Sequence, residues 1–291
     1  MKDTLKLISA MLIFGTIGIF RKYIPIPSSS LAMIRGGIGT LFLILVVVIG
    51  RQKISFKSIK NNLAILLISG SMIGFNWMLL FESYNHTTVA IATICYYMAP
   101  VFVMIVSPIF LKEKLSVKKV VCILVAIVGM LFVSGLFGAR EGNTDALGII
   151  FGLGAAALYA TVIILNQKIK QVTAYEKSIT QLSAAAIVMI PYVFLTEAEV
   201  IGEVSVLNVI MILVVGIINT GVAYALYFGS MKTLPAQKIA LFGYIDPVVA
   251  VLLSAFLLKE KLRLLEIVGI VLVLASTLVS ELPFFEKKKT D

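Results

Sequence analysis

One apolar segment occurs twice in this chain, and the duplication constrains the fold more than any other feature of the sequence. The segment ICYYMAPVFVMIVSPIFLKEKL, residues 94–115, returns as LFGYIDPVVAVLLSAFLLKEKL, residues 241–262. Placing Pro100 on Pro247 aligns the two LKEKL endings without a gap, at a shift of 147 residues. Three further pairs are identical at the same shift: Tyr97 and Tyr244, Gly74 and Gly221, and Phe81 and Phe228. The chain is therefore an internal duplication that repeats at least two consecutive helices.

The duplicated chain is too apolar for a water-soluble protein. Of its 291 residues, 60% are hydrophobic and 14% are charged, and the mean hydropathy is +1.05. Because so little polar surface cannot cover a soluble globule, the composition predicts a multi-span membrane protein. At about 20 residues per span, the length accommodates roughly ten helices and no soluble domain. The apolar runs predict helices near residues 5–22, 30–50, 62–82, 88–111, 117–137, 146–167, 178–195, 206–229, 238–258 and 264–281.

The basic residues between these runs indicate how the chain is oriented in the membrane. Lys and Arg number 18 in the loops on the side of the N-terminus and 6 in the loops on the other side. The positive-inside rule therefore predicts a multi-pass protein of the cell membrane with both termini in the cytoplasm. The formal charge of +10 is interpreted as this topology signal, and no nucleic-acid partner is predicted.

The predicted fold is an all-α integral membrane protein of ten transmembrane helices arranged as two inverted five-helix repeats. The first repeat covers residues 1–140, and the second covers residues 141–291 and ends in a short basic tail. Since five is an odd number, the second repeat is inserted upside down, which places the two LKEKL loops on opposite sides of the membrane. Two similar inverted halves suit alternating access, because they can exchange which of them is closed.

With the duplicated helix, its central proline and its LKEKL ending, the chain resembles the EamA-type members of the drug/metabolite transporter superfamily. The resemblance covers about residues 5–281. It implies a central cavity lined by the first four helices of each half, with the fifth and tenth helices as an outer scaffold. It also implies transport of small metabolites, often amino acids or related compounds, and often their export. The two repeats of this chain differ at Asp246, which aligns with Ala99 of the first repeat.

Asp246 is the most distinctive candidate for the substrate site. It precedes Pro247 near the middle of the ninth predicted helix, where an ionised carboxylate costs about 2.5–3.5 kcal/mol to insert. The side chain is therefore expected to face a cavity or a partner. One interpretation is a proton site or an anchor for a cationic group of the substrate, and the other is a buried carboxylate bonded to a nearby tyrosine or to backbone. Gly243 and Ala250 share its helix face and would leave room for a ligand.

Other polar and aromatic residues within the predicted helices complete the candidate site. Arg35 either binds a substrate carboxylate or pairs structurally. Several polar and aromatic side chains fall at helical spacing and predict the wall of a wet cavity, while aromatic rings offer stacking surface or cation binding. We expect these residues to converge on one central space, although each aromatic residue alone is also typical of packing. The substrate-binding candidates are Asp246, Arg35, Asn76, Trp77, Tyr96, Tyr97, Tyr159, Asn219 and Tyr227.

Pro100 and Pro247 are predicted to be hinges, because a proline inside a helix removes a backbone hydrogen bond and only this pair is repeated. Glu113 and Glu260 end the two repeated segments beside lysines, and an ion-pair or capping role is predicted for them. His86 is the only histidine, so neither a metal site nor a catalytic triad is predicted. No cofactor is predicted either.

The hypothesis favoured by these residues is a secondary transporter of a small metabolite, such as an amino acid or an amine, with export favoured. Its partners would be that substrate, membrane lipids and, if Asp246 is a proton site, protons. An intramembrane enzyme is the alternative, but Asp246 has no histidine, Cys–His pair or second carboxylate at comparable depth. A lipid-handling or structural membrane protein would have no central charge.

The inverted topology predicts that Lys114 and Lys261 face opposite sides of the membrane. Single cysteines at these positions, in a background without Cys95 and Cys122, should react with an impermeant thiol reagent from opposite sides of oriented vesicles. Labelling of both positions from the same side would refute the inverted repeat.

Overall fold

The computed structural model describes residues 2–110, 116–133, 144–196, 205–231, 234 and 242–281. All regular secondary structure within these residues is helical. The first LKEKL ending, with Glu113 and Lys114, lies outside the described residues, as do Arg140 and the basic tail.

Helices lie in each apolar run that the sequence predicted, because only helices satisfy their own backbone hydrogen bonds in lipid without a closed barrel. One short helix, α4, occupies a predicted loop. The helices are α1 (Lys2–Gly15), α2 (Ile17–Tyr23), α3 (Ser28–Ile49), α4 (Phe56–Asn61), α5 (Leu63–His86), α6 (Val89–Tyr96), α7 (Ala99–Phe110), α8 (Val117–Val133), α9 (Thr144–Gln167), α10 (Ala174–Thr196), α11 (Val206–Val214), a π-helical segment (Val215–Val222), α12 (Ala223–Met231), α13 (Ile245–Phe256) and α14 (Leu264–Glu281).

Seven of the described helical segments are long and apolar enough to cross a membrane. Two shorter apolar helices, Ile245–Phe256 and Leu264–Ser280, accompany them. The seven are Lys2–Tyr23, Ser28–Ile49, Leu63–His86, Val89–Phe110, Ala146–Gln167, Ala174–Thr196 and Val206–Tyr227. The described part of the chain is therefore all-α, and its helices have the length and composition of membrane spans.

The two repeated segments are broken at equivalent places. In the first, α6 ends at Tyr96 and α7 begins at Ala99. In the second, a turn at Tyr244 separates a short helical stretch from α13. Pro100 and Pro247 therefore lie in the first turns of α7 and α13, and not in the middle of helices as the sequence predicted. The first turn is where proline is tolerated, because its missing N–H has no partner there in any case.

Contacts between helices recur when the two halves are exchanged. Helix α5 packs on α9, and α1 packs on α12 at the corresponding place. Helix α5 also packs on α10, and the corresponding contact in the other half is between the π-helical segment and α3. Helices α6 and α7 pack on α9, and the corresponding contact is between α13 and α1. Three pairs join equivalent elements directly: α3 with α10, α6 with α13, and α8 with α14.

The α8–α14 pair is held together by close approach of two backbones at glycine. A Cβ atom added at Gly129 would lie 2.8 Å from the carbonyl oxygen of Gly269 and 2.9 Å from the Cβ of Leu272. Small residues at such crossings let membrane helices gain packing contacts that lipid cannot replace.

We predict that Gly129→Ala destabilises the protein, because the new methyl group must push backbone away. The expected loss is about 1–3 kcal/mol, as for other overpacked sites. The matched control is Gly37→Ala in α3, where an added Cβ meets no atom within 4 Å in the part of the chain that the structure describes. Thermal unfolding of the two variants in detergent should therefore differ. Equal melting temperatures would contradict the close α8–α14 contact.

Candidate functional site

Asp246 occupies the first turn of α13 and is half-buried. The hydroxyl of Tyr97 donates a hydrogen bond to its Oδ2 atom at 2.8 Å. Tyr97 belongs to the break between α6 and α7, so a tyrosine of the first repeat holds the carboxylate of the second. The contact joins the two repeated segments at their breaks.

The surroundings of Asp246 are packed on one side and open on the other. Helix α1 approaches closely, since a Cβ at Gly15 would lie 2.8 Å from the carbonyl oxygen of Asp246. At Gly243, by contrast, an added Cβ would meet no atom of the described residues within 4 Å. The Tyr97 hydroxyl lies 3.5 Å from the carbonyl oxygen of Gly243. Irregular backbone at membrane depth is tolerated where it is buried in protein or lines a cavity, and the open side at Gly243 is such a place.

Arg35 is buried, with 5% of its surface exposed, and is held by side chains other than carboxylates. Its Nε donates to the Thr220 hydroxyl at 2.8 Å. Its guanidinium carbon lies 4.0 Å from the ring centre of Trp77 and 5.6 Å from that of Phe81. Within the described residues, its two terminal nitrogens have no hydrogen-bond acceptor and no ion-pair partner within 4.0 Å. The aromatic faces stabilise the cation, while its two terminal nitrogens remain available to donate hydrogen bonds to a ligand.

Arg35 and Asp246 interact electrostatically through space without forming an ion pair. Tyr96 and Tyr159 lie close enough to Asp246 for its charge to act on their hydroxyl groups. These two rings stack with their centres 5.4 Å apart, and Tyr96 meets Tyr97 edge to face at 6.1 Å. We call the cluster of Arg35, Tyr96, Tyr97, Tyr159 and Asp246 the central site.

Two other sequence candidates border the central site. Trp77 reaches it through its contact with Arg35. Tyr227 lies within electrostatic range of Tyr159, and its ring packs edge to face on Phe14 at 6.2 Å. Most aromatic candidates therefore do gather in one place, but Trp77 and Tyr227 already have aromatic or cationic neighbours.

The two candidate asparagines are placed differently from the expected cavity wall. Asn76 is 1% exposed and donates to the carbonyl oxygen of Ala155 at 2.6 Å, which ties α5 to α9. Asn219 is fully buried and donates to the carbonyl oxygen of Ile13 at 2.7 Å and to the Thr16 hydroxyl at 2.8 Å. Neighbouring helices accept hydrogen bonds from the NH2 groups of both amides, because a buried donor without a partner is costly. The buried Oδ1 of Asn219 has no hydrogen-bond partner within the described residues. Asn76 and Asn219 are therefore helix-to-helix ties.

Thr220 is a residue of the site that the sequence reasoning missed. It lies in the π-helical segment, where it accepts from Arg35 and donates to the carbonyl oxygen of Val215 at 3.0 Å. An α-helical spacing of 3.6 residues groups side chains differently from a π-helix, so the spacing that grouped Asn219 with Tyr227 did not include Thr220. The only signal that the sequence offered for Thr220 was a polar residue within an apolar run.

Comparison with known proteins agrees with this architecture. The sequence model of the EamA-like transporter family matches residues 3–135 and again residues 146–281. The uncharacterized transporter YxxF of Bacillus subtilis (strain 168) is 32% identical over 272 residues, which is 93% of this chain and 86% of that protein. The uncharacterized transporter YoaV of the same strain is 23% identical over 291 residues, covering 99% of each.

A solved crystal structure has a similar fold, with a TM-score of 0.67 over 96% of each chain. Its sequence identity is 16%, so this likeness shows the fold alone. The family match extends over both repeated halves, and a relative of nearly the same length shares about a third of its residues. The chain therefore belongs to the EamA-like transporter family.

Proposed function

We propose that this protein is a secondary transporter that exports a small metabolite carrying an ammonium group, such as an amino acid or an amine, across the cell membrane by alternating access. Family membership and the transporter relatives support transport and not catalysis. The export direction rests on the resemblance to the superfamily.

The observation that carries the proposal is the pair of opposite charges at the central site that do not neutralise each other. A charged group inside a membrane protein is costly unless it is paired or used. Asp246 has a neutral hydrogen-bond partner in Tyr97, and Arg35 has a neutral one in Thr220. A zwitterionic substrate would supply an ammonium to the first and a carboxylate to the second, and its presence would complete both ion pairs.

The aromatic residues would complete a site for such a substrate. The stacked rings of Tyr96 and Tyr159 offer a face to an ammonium bound near Asp246. Trp77 is instead assigned to hold Arg35, because the guanidinium already covers its ring. Tyr97 orients the carboxylate, and the open space at Gly243 leaves room beside it.

The architecture we propose is ten spans in two inverted five-helix repeats, residues 1–140 and 141–291, with both termini in the cytoplasm. The double match to the family and the exchange of helix contacts between the halves support the repeat. The central site draws Tyr97 from the first repeat and Asp246 from the second. A site shared in this way changes its access when the halves rock against each other, while the substrate stays in place.

We predict that Asp246→Asn abolishes concentrative transport while the protein still folds. The amide has nearly the shape of the carboxylate and still accepts from Tyr97, but it carries no charge to attract a cation or bind a proton. Transport into inside-out vesicles would be measured with a substrate identified by ligand-dependent thermal stabilisation across amino acids and amines. A folded variant with wild-type transport and an unchanged pH profile would overturn the role of Asp246.

We predict that Arg35→Gln discriminates between substrate classes. If Arg35 binds a carboxylate, the variant should weaken transport of a zwitterion on the order of tenfold or more, since charged hydrogen bonds are the strong ones. Transport of the matching amine without a carboxylate should change much less. Thr220→Val serves as the control, because it removes a contact of Arg35 and retains the charge. An equal loss for both substrates would assign Arg35 a structural role.

A further inference from the structure

The second LKEKL motif makes a contact that its sequence position alone does not explain. Glu260 accepts hydrogen bonds from the backbone N–H of Val89, at 2.9 Å to Oε2 and 3.2 Å to Oε1. Val89 is the first residue of α6. A carboxylate of the second repeat therefore binds the start of a helix in the first repeat.

Two further groups contact this carboxylate. The hydroxyl of Ser254, in the last turns of α13, donates to Oε2. The ammonium of Lys22, at the end of α2, lies 4.0 Å from Oε1 and donates to the carbonyl oxygen of Thr87 at 3.0 Å. The contact thus joins the ends of α2 and α13 to the corner between α5 and α6.

Helix α6 does not need this partner to begin at Val89. The hydroxyl of Thr88 already accepts from the backbone N–H of Ile91 at 3.2 Å, which is the usual local cap. The bond from Glu260 is therefore an addition that links the two halves. The side chains of Lys22 and Glu260 are 28% and 13% exposed, so water can reach the groups if they separate.

Helices α6 and α13, which Glu260 and Ser254 connect at one end, are linked a second time at the central site. Tyr97 follows the end of α6 and Asp246 lies at the start of α13, whereas Val89 starts α6 and Ser254 lies near the end of α13. Helices α6 and α13 are therefore antiparallel, and at 1.5 Å per residue the two links are about 12 Å apart. Separating the helices at the Glu260 end would open a path towards Asp246.

We propose that Glu260 is a latch that holds this end of the α6–α13 pair closed, and that its release accompanies opening of the central site to that side. The charge distribution predicts that side to be the outer one. The latch rests on the proposed alternating access. It gives the LKEKL motif a role in positioning the opposite repeat, beyond an ion pair within its own loop.

The test measures the distance across this contact, from the last turn of α5, just before α6, to the loop that follows α13, and requires no substrate. Spin labels at Asn85 and Lys261, both exposed at this end, would report distances by pulsed electron resonance in nanodiscs, with Cys95 and Cys122 replaced by alanine. Glu260→Gln should raise the ratio of long to short distances on the order of tenfold, because a charge-assisted contact is lost. Ser254→Ala should shift the ratio in the same direction by less.

The matched control is Glu266→Gln. Glu266 is also a buried carboxylate, in the first turn of α14, and accepts from the N–H of Arg263 at 2.8 Å, but this bond stays within the second repeat. It should lower thermal stability without changing the distance ratio. If Glu260→Gln behaves like this control, or leaves the distances unchanged, the latch is refuted. Absence of transport with a confirmed latch would instead refute the proposed function.

Discussion

The rest of the structure depends on where a backbone can be interrupted inside a membrane. A broken helix exposes N–H and C=O groups that lipid cannot satisfy, so a break must be covered by protein or line a cavity. Here the two equivalent breaks face each other, and the Tyr97 hydroxyl bridges from one to the carboxylate of the other. The breaks are thus covered by one another, and the place where the backbone is irregular is also the place where polar chemistry is concentrated.

Arg35, the other charge at the central site, is stabilised in a different way from Asp246. Arg35 is surrounded by Trp77, Phe81 and the Thr220 hydroxyl, which stabilise a cation without cancelling its charge. A carboxylate at ion-pair distance would have lowered the cost of burial further, but it would also have occupied the donors that a ligand needs. The π-helical segment contributes here, because it directs Thr220 towards α3 and Asn219 towards α1.

The sequence predicts the helices well because lipid imposes long apolar runs, and it makes Asp246 a candidate because a charge in such a run is rare. Its alternative of a carboxylate bonded to tyrosine anticipates the contact with Tyr97. The sequence does not place Asn76 or Asn219, since a polar residue on a helix can face a cavity or tie two helices with the same spacing. The sequence also does not predict the position of the Thr220 side chain or the location of the two helix breaks. Both arise where the backbone departs from α-helical hydrogen bonding, whereas a periodicity argument assumes a regular α-helix. The partner of Glu260 is 171 residues distant, so no local pattern reveals it.

The position of Asp246 in the first turn of α13 has a consequence for release of cargo. The start of a helix carries a partial positive charge from its aligned peptide dipoles, and a carboxylate placed there is stabilised before any ligand arrives. Under the proposed function, a substrate ammonium would compete with this field and would not meet a bare anion in a low-dielectric interior. Binding would be weaker for that reason and dissociation faster, since differences in affinity reside mostly in the off-rate. Because a transporter must release its substrate in every cycle, the dipole at the start of α13 would favour turnover over tight binding.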